Sequence, residues 1–378
     1  MIALNSQKIR GILLAIFALI IALVTIPSFL SMHEVEPLFP GPGVVQTKLL
    51  SDYFEGLKNT PGDTEIFLLE GAEEGGTVLL LGGVHPDEPT AFLTTVLFLE
   101  RATISKGRIF IIPRANKSGF TYNIPGEAVP QKFPIETSKG TRWFRFGARG
   151  INPIHSWPDQ EIYIHYPSGQ RMSGDDTRNL NRSFPGRANG TLAEKIAYGV
   201  CELIRQEKVD LTIDFHTAMP EYPNINVIVA HERAMEIAAS AQLTLLLEGM
   251  NIGLANSPKN FHGLTHRELG DFTDTFVVLM EAPNIAFGRL RGRTTVDTII
   301  KAQDDFYVWG AKLGRLFIPF TEKGWPLNLR LARHITTTKS LIEAFNELFP
   351  DKGLMIDNIP TYQELVDNAG IYFHPPEE

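Results

Sequence analysis

Two short segments place histidine and carboxylate side chains where metal chemistry needs them. His85 and Glu88 stand three residues apart, between an apolar run at 77–82 that predicts a strand and a segment that predicts a helix. His216 ends a second apolar run that also predicts a strand. The carboxyl ends of such strands form the edge where open α/β sheets commonly bind ligands. A His, Glu, His set at that edge suits catalytic zinc, which takes three protein ligands and keeps an open position.

Each part of this set also has an ordinary explanation. A histidine three residues before a glutamate occurs often by chance, and His216 alone could simply cap a strand end. Asp214 lies two residues before His216, so both side chains could point to the same face of the strand. In that position Asp214 could hold the His216 imidazole by a hydrogen bond, as carboxylates commonly do for metal-binding histidines.

Two further features point to an anionic substrate and to proton transfer. Residues 176–186 contain Arg178, Asn179, Asn181 and Arg182, a density of fixed donors that suits bidentate binding of a carboxylate. Glu281 ends a wholly apolar run that predicts a buried strand. A carboxylate in that place needs a partner or a chemical role, and the role predicted for it is that of a general base.

Taken together, these motifs resemble the zinc carboxypeptidase superfamily, and within it the succinylglutamate desuccinylase and aspartoacylase branch. The resemblance spans about residues 49–317, with the motifs in the family's order. Its elements are Gly83-Val84-His85-x-x-Glu88-Pro89, Pro113-x-x-Asn116-x-x-Gly119, Asn181-Arg182-x-Phe-Pro-Gly, Asp214-x-His216-Thr217 and Glu281 after the last apolar strand.

The resemblance implies a zinc-dependent hydrolase of an amide bond in a small acyl-amino acid or a carboxylate-bearing peptide. It implies one Zn²⁺ per chain, held by His85, Glu88 and His216, with Glu281 as general base and acid. Asn181 and Arg182 would bind the substrate carboxylate. The family also polarises the scissile carbonyl with an arginine, and spacing leaves Arg178 and Arg171 both open for that role.

The sequence departs from the family's pattern in ways that keep alternatives open. Residues 260–270, where carboxypeptidases carry an active-site tyrosine, contain none. The β-rich C-terminal domain of the aspartoacylase branch is replaced by a predicted helix over 295–317. The alternatives are therefore an exported metallocarboxypeptidase acting on cell-wall peptides and an inactive homologue that kept the metal site.

The N-terminus predicts a membrane anchor. No charged residue occurs from 11 to 32, Lys8 and Arg10 precede this run, and Glu34 follows it. Such a run is long enough to cross about 30 Å of hydrocarbon as a helix, and the basic flank favours a cytoplasmic N-terminus with the rest outside. The alternative is a cleaved signal peptide, which would release a secreted protein.

The remaining pattern predicts an α/β fold with a mixed, largely parallel sheet flanked by helices, as in zinc carboxypeptidases. The predicted organisation is an anchor or signal at 1–32, a proline-rich linker at 33–48, a catalytic domain at 49–322 and a C-terminal extension at 323–378. A long aromatic-rich loop is expected between 121 and 177, and a helix near 338–348.

Composition excludes several partners and cofactors. The chain has 378 residues, a net charge of −8 and one cysteine, which argues against a duplex nucleic-acid binder and against any disulfide or multi-cysteine metal framework. No protein partner is inferred. A small anionic substrate would then have to be recognised at short range by pocket arginines, against an unfavourable overall field.

Overall fold

The structure, a computed structural model, describes residues 6–124 and 129–376. Within these residues, nine strands form one mixed sheet and four form two separate hairpins. The sheet contains β1 (Val44–Leu49), β2 (Glu65–Glu70), β3 (Glu73–Leu81), β4 (Thr103–Ile112), β9 (Leu211–Ala218), β10 (Val227–Ala230), β11 (Gly253–Asn256), β12 (Phe276–Pro283) and β13 (Met355–Asp357). The hairpins are β5 (Lys132–Thr137) with β6 (Gly140–Arg145), and β7 (Ile162–Ile164) with β8 (Arg171–Ser173).

The predicted fold class, a mixed α/β sheet flanked by helices, is confirmed. The strand order is β1-β2-β4-β3-β9-β12-β10-β11, with β13 beside β4. The four central strands β4, β3, β9 and β12 are parallel, so their carboxyl ends meet at one edge. Pairs farther out include antiparallel ones, such as β2 with β4 and β10 with β12.

Nine α-helices are present in the described residues. They are α1 (Ser6–Leu30), α2 (Pro89–Arg101), α3 (Leu192–Glu207), α4 (Met235–Leu247), α5 (Thr265–Phe272), α6 (Val296–Ile300), α7 (Asp305–Lys312), α8 (Leu327–Leu348) and α9 (Tyr362–Asn368). Alternating strand residues divide the core between the two faces of the sheet. Val78 and Leu80 pack with α2, α4 and α8, whereas Leu79 and Leu81 pack with α3 and α5. This two-sided burial explains why the central strands carry apolar residues on both faces.

Three predicted elements differ from the structure. The single helix expected over 295–317 is wrong, because Ala302 takes a positive φ of 48° and Asp304 then caps α7 through the amides of Phe306 and Tyr307. The region 121–177 is not one loop, since it contains both hairpins. The helix expected near 338–348 begins at Leu327, directly after Pro326.

Helix α1 and the segment after it define how the N-terminus joins the domain. By length and composition, Ser6–His33 can cross a membrane, with a hydropathy of 2.8 and no buried part. The linker predicted at 33–48 does not extend freely into solvent. Glu36 is buried beside Arg114, 3.5 Å away, and accepts a hydrogen bond from the Arg145 amide at 3.0 Å. The segment after α1 is therefore docked on the domain.

Candidate metal centre and active site

His85, Glu88 and His216 converge at the carboxyl edge of the central strands. Their ligand atoms all lie within 4.8 Å of one another, and all three side chains are buried. His85 Nδ1 lies 2.9 Å from Glu88 Oε1, and His216 Nδ1 lies 3.3 Å from Glu88 Oε2. The structure thus brings together the three residues predicted as metal ligands.

Local backbone geometry explains how the first motif reaches this position. Gly83 follows β3 with a φ of 64°, and a Cβ there would lie 2.5 Å from the Pro113 carbonyl oxygen. Only glycine fits this sharp turn. Glu88 is then the N-cap residue of α2, with Pro89 in the first helical position. The chain turns off the strand and enters the helix with His85 and Glu88 facing each other.

The other nitrogen of each imidazole is held by an acceptor. His85 Nε2 donates to Asn179 Oδ1 at 2.8 Å, and His216 Nε2 donates to Asp214 Oδ2 at 2.9 Å. With Nε2 of each ring held in this way, Nδ1 is the nitrogen that faces Glu88 and that would bind a metal. The hydrogen bond expected from Asp214 is present, and Asn179 provides the matching contact for His85.

Burial and mutual charge shape the electrostatics of this cluster. Burial lowers the pKa of His85 to about 3, so this imidazole is neutral. Burial alone would raise the pKa of Glu88, but the two imidazoles lower it well below its usual range. For His216, burial lowers the pKa while Asp214 and Glu88 raise it, and the carboxylates prevail. His85 and Glu88 are therefore in the forms that bind metals, a neutral imidazole and an ionised carboxylate, whereas His216 would release a proton on binding one.

Glu281 lies beside the candidate ligands on the neighbouring strand. It pairs in register with His216 in the parallel ladder of β9 and β12, so both side chains point to the same face. Its Oε2 is buried and has no hydrogen-bond partner among the described residues. Burial raises the pKa of Glu281 to about 8, with Glu88 adding to the rise while His216 and Arg149 oppose it.

Arg149 is a site residue that the sequence analysis missed. It lies on the loop after β6, and its guanidinium Nη1 is 2.9 Å from Glu88 Oε1 and 3.8 Å from Asp87 Oδ1. The guanidinium also lies over the Phe287 ring, 5.3 Å from its centroid. Its only signal in the sequence is a position between two glycines, Gly147 and Gly150, which bring the loop over the metal motif.

The two arginines proposed from spacing lie elsewhere. Arg178 lines the cleft, but its Nε lies 2.9 Å from Asp159 and its Nη1 donates to Tyr122 and to the Ile151 carbonyl. These contacts tie Arg178 to the segments that contain Tyr122, Ile151 and Asp159. They leave Arg178 without a direct contact to the candidate ligands. Arg171 is exposed on β8, in the β7–β8 hairpin. Neither arginine is close enough to a candidate ligand to make a hydrogen bond in the described structure.

Arg182 lies on the wall of the cleft, and Asn181 is buried directly before it in the chain. Asn181 accepts a hydrogen bond from the Thr265 amide at 2.8 Å, which fixes its orientation. Arg182 packs over the Phe261 ring, 4.8 Å from the centroid, and its Nε lies 3.2 Å from Asp176. Its side chain is partly exposed to the cleft. The pair is therefore anchored from behind while the guanidinium faces the cavity.

The cleft in front of these residues has a volume of ≈ 500 Å³, within the range of small-molecule sites. It is unusually rich in arginine for an acidic protein. Its charged lining residues are Arg149, Arg178, Arg182, Arg289, Arg291, Asp87, Asp175 and Asp176. The arginines outnumber the aspartates, so a locally positive cleft opens on a chain of net charge −8.

Comparison of the sequence with protein families confirms the resemblance drawn from the motifs. Residues 164–278 match the succinylglutamate desuccinylase/aspartoacylase catalytic domain. This stretch contains the Asn181-Arg182 pair and His216, whereas His85, Glu88 and Glu281 lie outside it. The matched family is named for two hydrolases, succinylglutamate desuccinylase and aspartoacylase. A search of curated proteins gives no match to this chain.

Solved structures give similarities at low identity. A succinylglutamate desuccinylase from Silicibacter sp. is 17% identical, with a TM-score of 0.35, over 58% of this chain and 53% of its own. A metallo-carboxypeptidase from Burkholderia cenocepacia is 11% identical, with a TM-score of 0.46, over 85% and 68%. The cell shape determinant Csd4 from Helicobacter pylori is 13% identical, with a TM-score of 0.46, over 80% and 58%. The match thus spans about half of the desuccinylase chain.

Proposed function

We propose that this protein is a zinc-dependent amide hydrolase acting on a small acyl-amino acid or a peptide with a free carboxylate. The observation that carries the proposal is the convergence of His85, Glu88 and His216 within 4.8 Å, beside Glu281 on the next strand. The match of residues 164–278 to a hydrolase family supports the same reaction class.

The donor set fits zinc. Two imidazole Nδ1 atoms and a carboxylate are buried together, and each imidazole Nε2 is already held by a separate acceptor. Such a set leaves the two Nδ1 atoms and the Glu88 carboxylate as the groups that would hold a cation. When bound, zinc would lower the pKa of a water molecule and polarise a substrate carbonyl.

The chain's own residues supply the remaining chemistry. Glu281 has an unpartnered oxygen at the site, so it can accept a proton from the attacking water and deliver it to the leaving amine. Arg149 takes the role that spacing left open between Arg178 and Arg171. Its guanidinium lies within hydrogen-bond distance of Glu88, and in that position it can stabilise the oxyanion that forms on the carbonyl.

Recognition of the substrate carboxylate falls to Arg182 and Asn181. Arg182 is held by Asp176 and by the Phe261 ring, so little side-chain freedom is lost when it binds an anion. Arg178 supports the same wall of the cleft through its contacts with Asp159 and Tyr122. The positive cleft offsets the negative net charge only at short range, because charges beyond about 8 Å are screened at physiological ionic strength.

A panel of matched substrates tests this proposal. The full chain in detergent, loaded with Zn²⁺, should cleave acyl-amino acids or peptides with a free α-carboxylate and should fail on the corresponding carboxamides. The carboxamides keep the scissile bond and lose only the negative charge. Equal cleavage of both would remove the role of Arg182, and no cleavage of either by zinc-loaded protein would contradict the hydrolase assignment.

A metallocarboxypeptidase acting on cell-wall peptides is the second candidate. The cleft favours it, because ≈ 500 Å³ is room for several residues and the lining includes two tyrosines, Tyr122 and Tyr222. These aromatic groups lie outside the segment 260–270 where the sequence analysis sought a tyrosine. In the same panel, cleavage of wall-derived peptides together with resistance of acyl-amino acids would select this candidate. Zinc binding without any cleavage would select an inactive homologue.

We also propose that α1 anchors the enzyme in a membrane, with the catalytic domain outside the cytoplasm. The apolar length of Ser6–His33 and the preceding Lys8 and Arg10 support this orientation. The docking of Glu36 on Arg114 would hold the domain close to the bilayer. Carbonate-resistant membrane association and protease accessibility from the outer side are expected. A soluble, N-terminally processed product would instead identify a cleaved signal.

A further inference from the structure

Helix α8 reaches the metal centre from the opposite face of the sheet. His334 is buried, and its Nε2 donates to the main-chain carbonyl of His216 at 3.0 Å. Its ring also packs edge-to-face against Phe215, with 5.6 Å between centroids. The imidazole therefore holds the main chain of a candidate ligand at the end of β9, on the side away from the cleft.

Arg330, one helical turn earlier, makes the corresponding contact with the other motif. It is fully buried, and its Nη1 donates to Thr90 Oγ1 at 3.0 Å. Thr90 lies in the first turn of α2, directly after Glu88 and Pro89. Arg330 Nη2 donates to the Ile299 carbonyl, which ties the same turn to α6. One guanidinium thus fixes the start of the helix that carries Glu88.

Burying the Arg330 guanidinium costs free energy, and a residue with a purely structural role would not need that cost. Arg330 has no ion pair in the described part of the chain, and its Nε has no hydrogen-bond partner there. Burial lowers the pKa of Arg330 to about 9. A buried charge without an opposite charge is unfavourable, and an apolar side chain of similar volume fills such a space at lower cost. An apolar side chain could not make the two hydrogen bonds that Arg330 donates to Thr90 and to the Ile299 carbonyl.

We propose that His334 and Arg330 are positioning residues of the metal centre, which act through the main chain at His216 and the first turn of α2. The inference rests on the proposed function, since it requires that His85, Glu88 and His216 bind a metal. It assigns a role to the C-terminal segment, whose helix α8 packs against α2 and α4. Neither residue lines the cleft.

The same helix provides a matched control. Arg333 is also a buried arginine of α8, but it donates to Asn226 Oδ1 at 2.9 Å and to the Asn251 carbonyl, away from the metal motifs. Arg333→Met and Arg330→Met remove the same groups from the same helix. A general loss of helix stability would affect both variants, whereas a loss of metal positioning would affect only Arg330→Met.

The test measures Zn²⁺ affinity of the full chain in detergent by competition with a chromophoric chelator. His334→Leu and Arg330→Met should each weaken zinc binding by about 10–100-fold, the usual effect of losing a group that orients a ligand. His334→Gln keeps a donor at the position of Nε2 and should recover most of the affinity. Arg333→Met should bind zinc as the wild type does, even if its melting temperature falls.

A spectroscopic measurement separates positioning from stability. With Co²⁺ in place of zinc, the visible d–d bands should change in His334→Leu and stay unchanged in Arg333→Met. If His334→Leu does not fold, His334→Asn replaces it, because its shorter amide cannot reach the carbonyl that glutamine reaches. Wild-type affinity and spectra in both His334→Leu and Arg330→Met would overturn the inference. Absence of zinc binding by the wild type would instead overturn the proposed function.

Discussion

Two charged clusters lie on the same sheet and differ in how completely their charges are paired. At the carboxyl edge, Glu88, Asp214 and Glu281 lie around two imidazoles. Oxygens of Asp214 and Glu281 there have no hydrogen-bond partner among the described residues. At the amino-terminal side, Glu207 accepts hydrogen bonds from Tyr53 Oη at 2.7 Å and Lys48 Nζ at 2.9 Å. Its second oxygen accepts from Arg108 at 3.2 Å.

The difference distinguishes a structural cluster from the candidate functional one. Every charge around Glu207 meets an opposite charge or a donor, so the cluster is complete in the protein alone. The cluster at the carboxyl edge concentrates acceptors and leaves some without donors, which is unfavourable unless a cation and a substrate supply what is missing. A larger cavity of ≈ 670 Å³ at the amino-terminal side contains none of the motif residues. Cavity size therefore does not mark the edge that carries the candidate site, whereas unpaired acceptors do.

The largest expected effect is on turnover, from removal of the base at the incomplete cluster. Glu281→Gln keeps the shape of the side chain but cannot accept a proton from water. We expect kcat to fall by about 10³-fold, within the range for loss of a general base, while zinc affinity stays within a few fold of wild type. Activity is checked with whichever substrate the wild type cleaves. Near-wild-type turnover would show that another group takes the proton.

The second effect distinguishes Arg149 from Arg178. Arg149→Lys keeps a positive charge but loses the planar fork, and we expect kcat to fall by about 10²-fold, as for loss of an oxyanion donor. Arg178→Lys loses contacts with the loop, and its effect on kcat should be less than about 10-fold. Steady-state kinetics of the two variants make the comparison. The opposite ranking would return the carbonyl-polarising role to Arg178.

A smaller effect is expected on substrate affinity. Arg182→Lys removes bidentate binding of a carboxylate, and a hydrogen bond to a charged group contributes about 1.5–3 kcal/mol. KM for a carboxylate substrate should therefore rise by roughly 10–100-fold with a smaller change in kcat. The carboxamide analogue serves as the control, because its binding should be insensitive to this substitution. A loss of kcat with an unchanged KM would place Arg182 in the chemical step instead.

The smallest effect tests the complete cluster. Glu207→Gln should lower the free energy of unfolding at neutral pH by about 1–2 kcal/mol and leave hydrolysis unchanged. Burial raises the pKa of Glu207, but hydrogen bonds from Tyr53 and Lys48 lower it below its usual value. A lowered folded-state pKa stabilises the fold above the unfolded-state pKa, near 4.3, and the contribution disappears as pH falls.

Denaturant unfolding at several pH values checks this sign. The difference in the free energy of unfolding between wild type and Glu207→Gln should be largest near neutral pH and should shrink as Glu207 becomes protonated. A difference that grew towards acid pH would contradict the account of this cluster. A loss of activity in this variant would contradict the separation of the two clusters.

The sequence was sufficient to predict the elements that position the metal motifs. Apolar runs ending at residues 82 and 216 identified β3 and β9, because buried parallel strands are apolar on both faces. Parallel strands share one carboxyl edge, so the sequence also placed His85, Glu88 and His216 together. Glu281 followed from the same argument, applied to β12.

The parts that could not be predicted depend on contacts distant in sequence. Arg149 reaches Glu88 because the loop after the β5–β6 hairpin folds over the motif, and the short strands of that hairpin carry no clear alternation. The helix predicted over 295–317 failed because its apolar periodicity continues across the break at Ala302. Asp304, which caps α7, is the local signal that could have located the break.

The contacts of the predicted linker also depend on residues distant in sequence. Its prolines and glycines favour a stiff spacer, but Glu36 finds Arg114 and the Arg145 amide on the domain surface. The role of α8 also lay outside the sequence, because His334 acts on a main-chain carbonyl 118 residues away. Contacts of that kind leave no pattern in the residues that make them.

Zinc binding by the purified full chain tests the central claim most directly. Metal analysis and titration of the apoprotein should give one Zn²⁺ per chain for the wild type and for Glu207→Gln. Titration should show no high-affinity zinc binding by His85→Ala or His216→Ala. Zinc should raise the melting temperature of the wild type, which keeps all three ligands, and should not raise that of the two histidine variants. A wild-type protein that stays free of zinc, or a His216→Ala variant that binds it as tightly, would contradict the account.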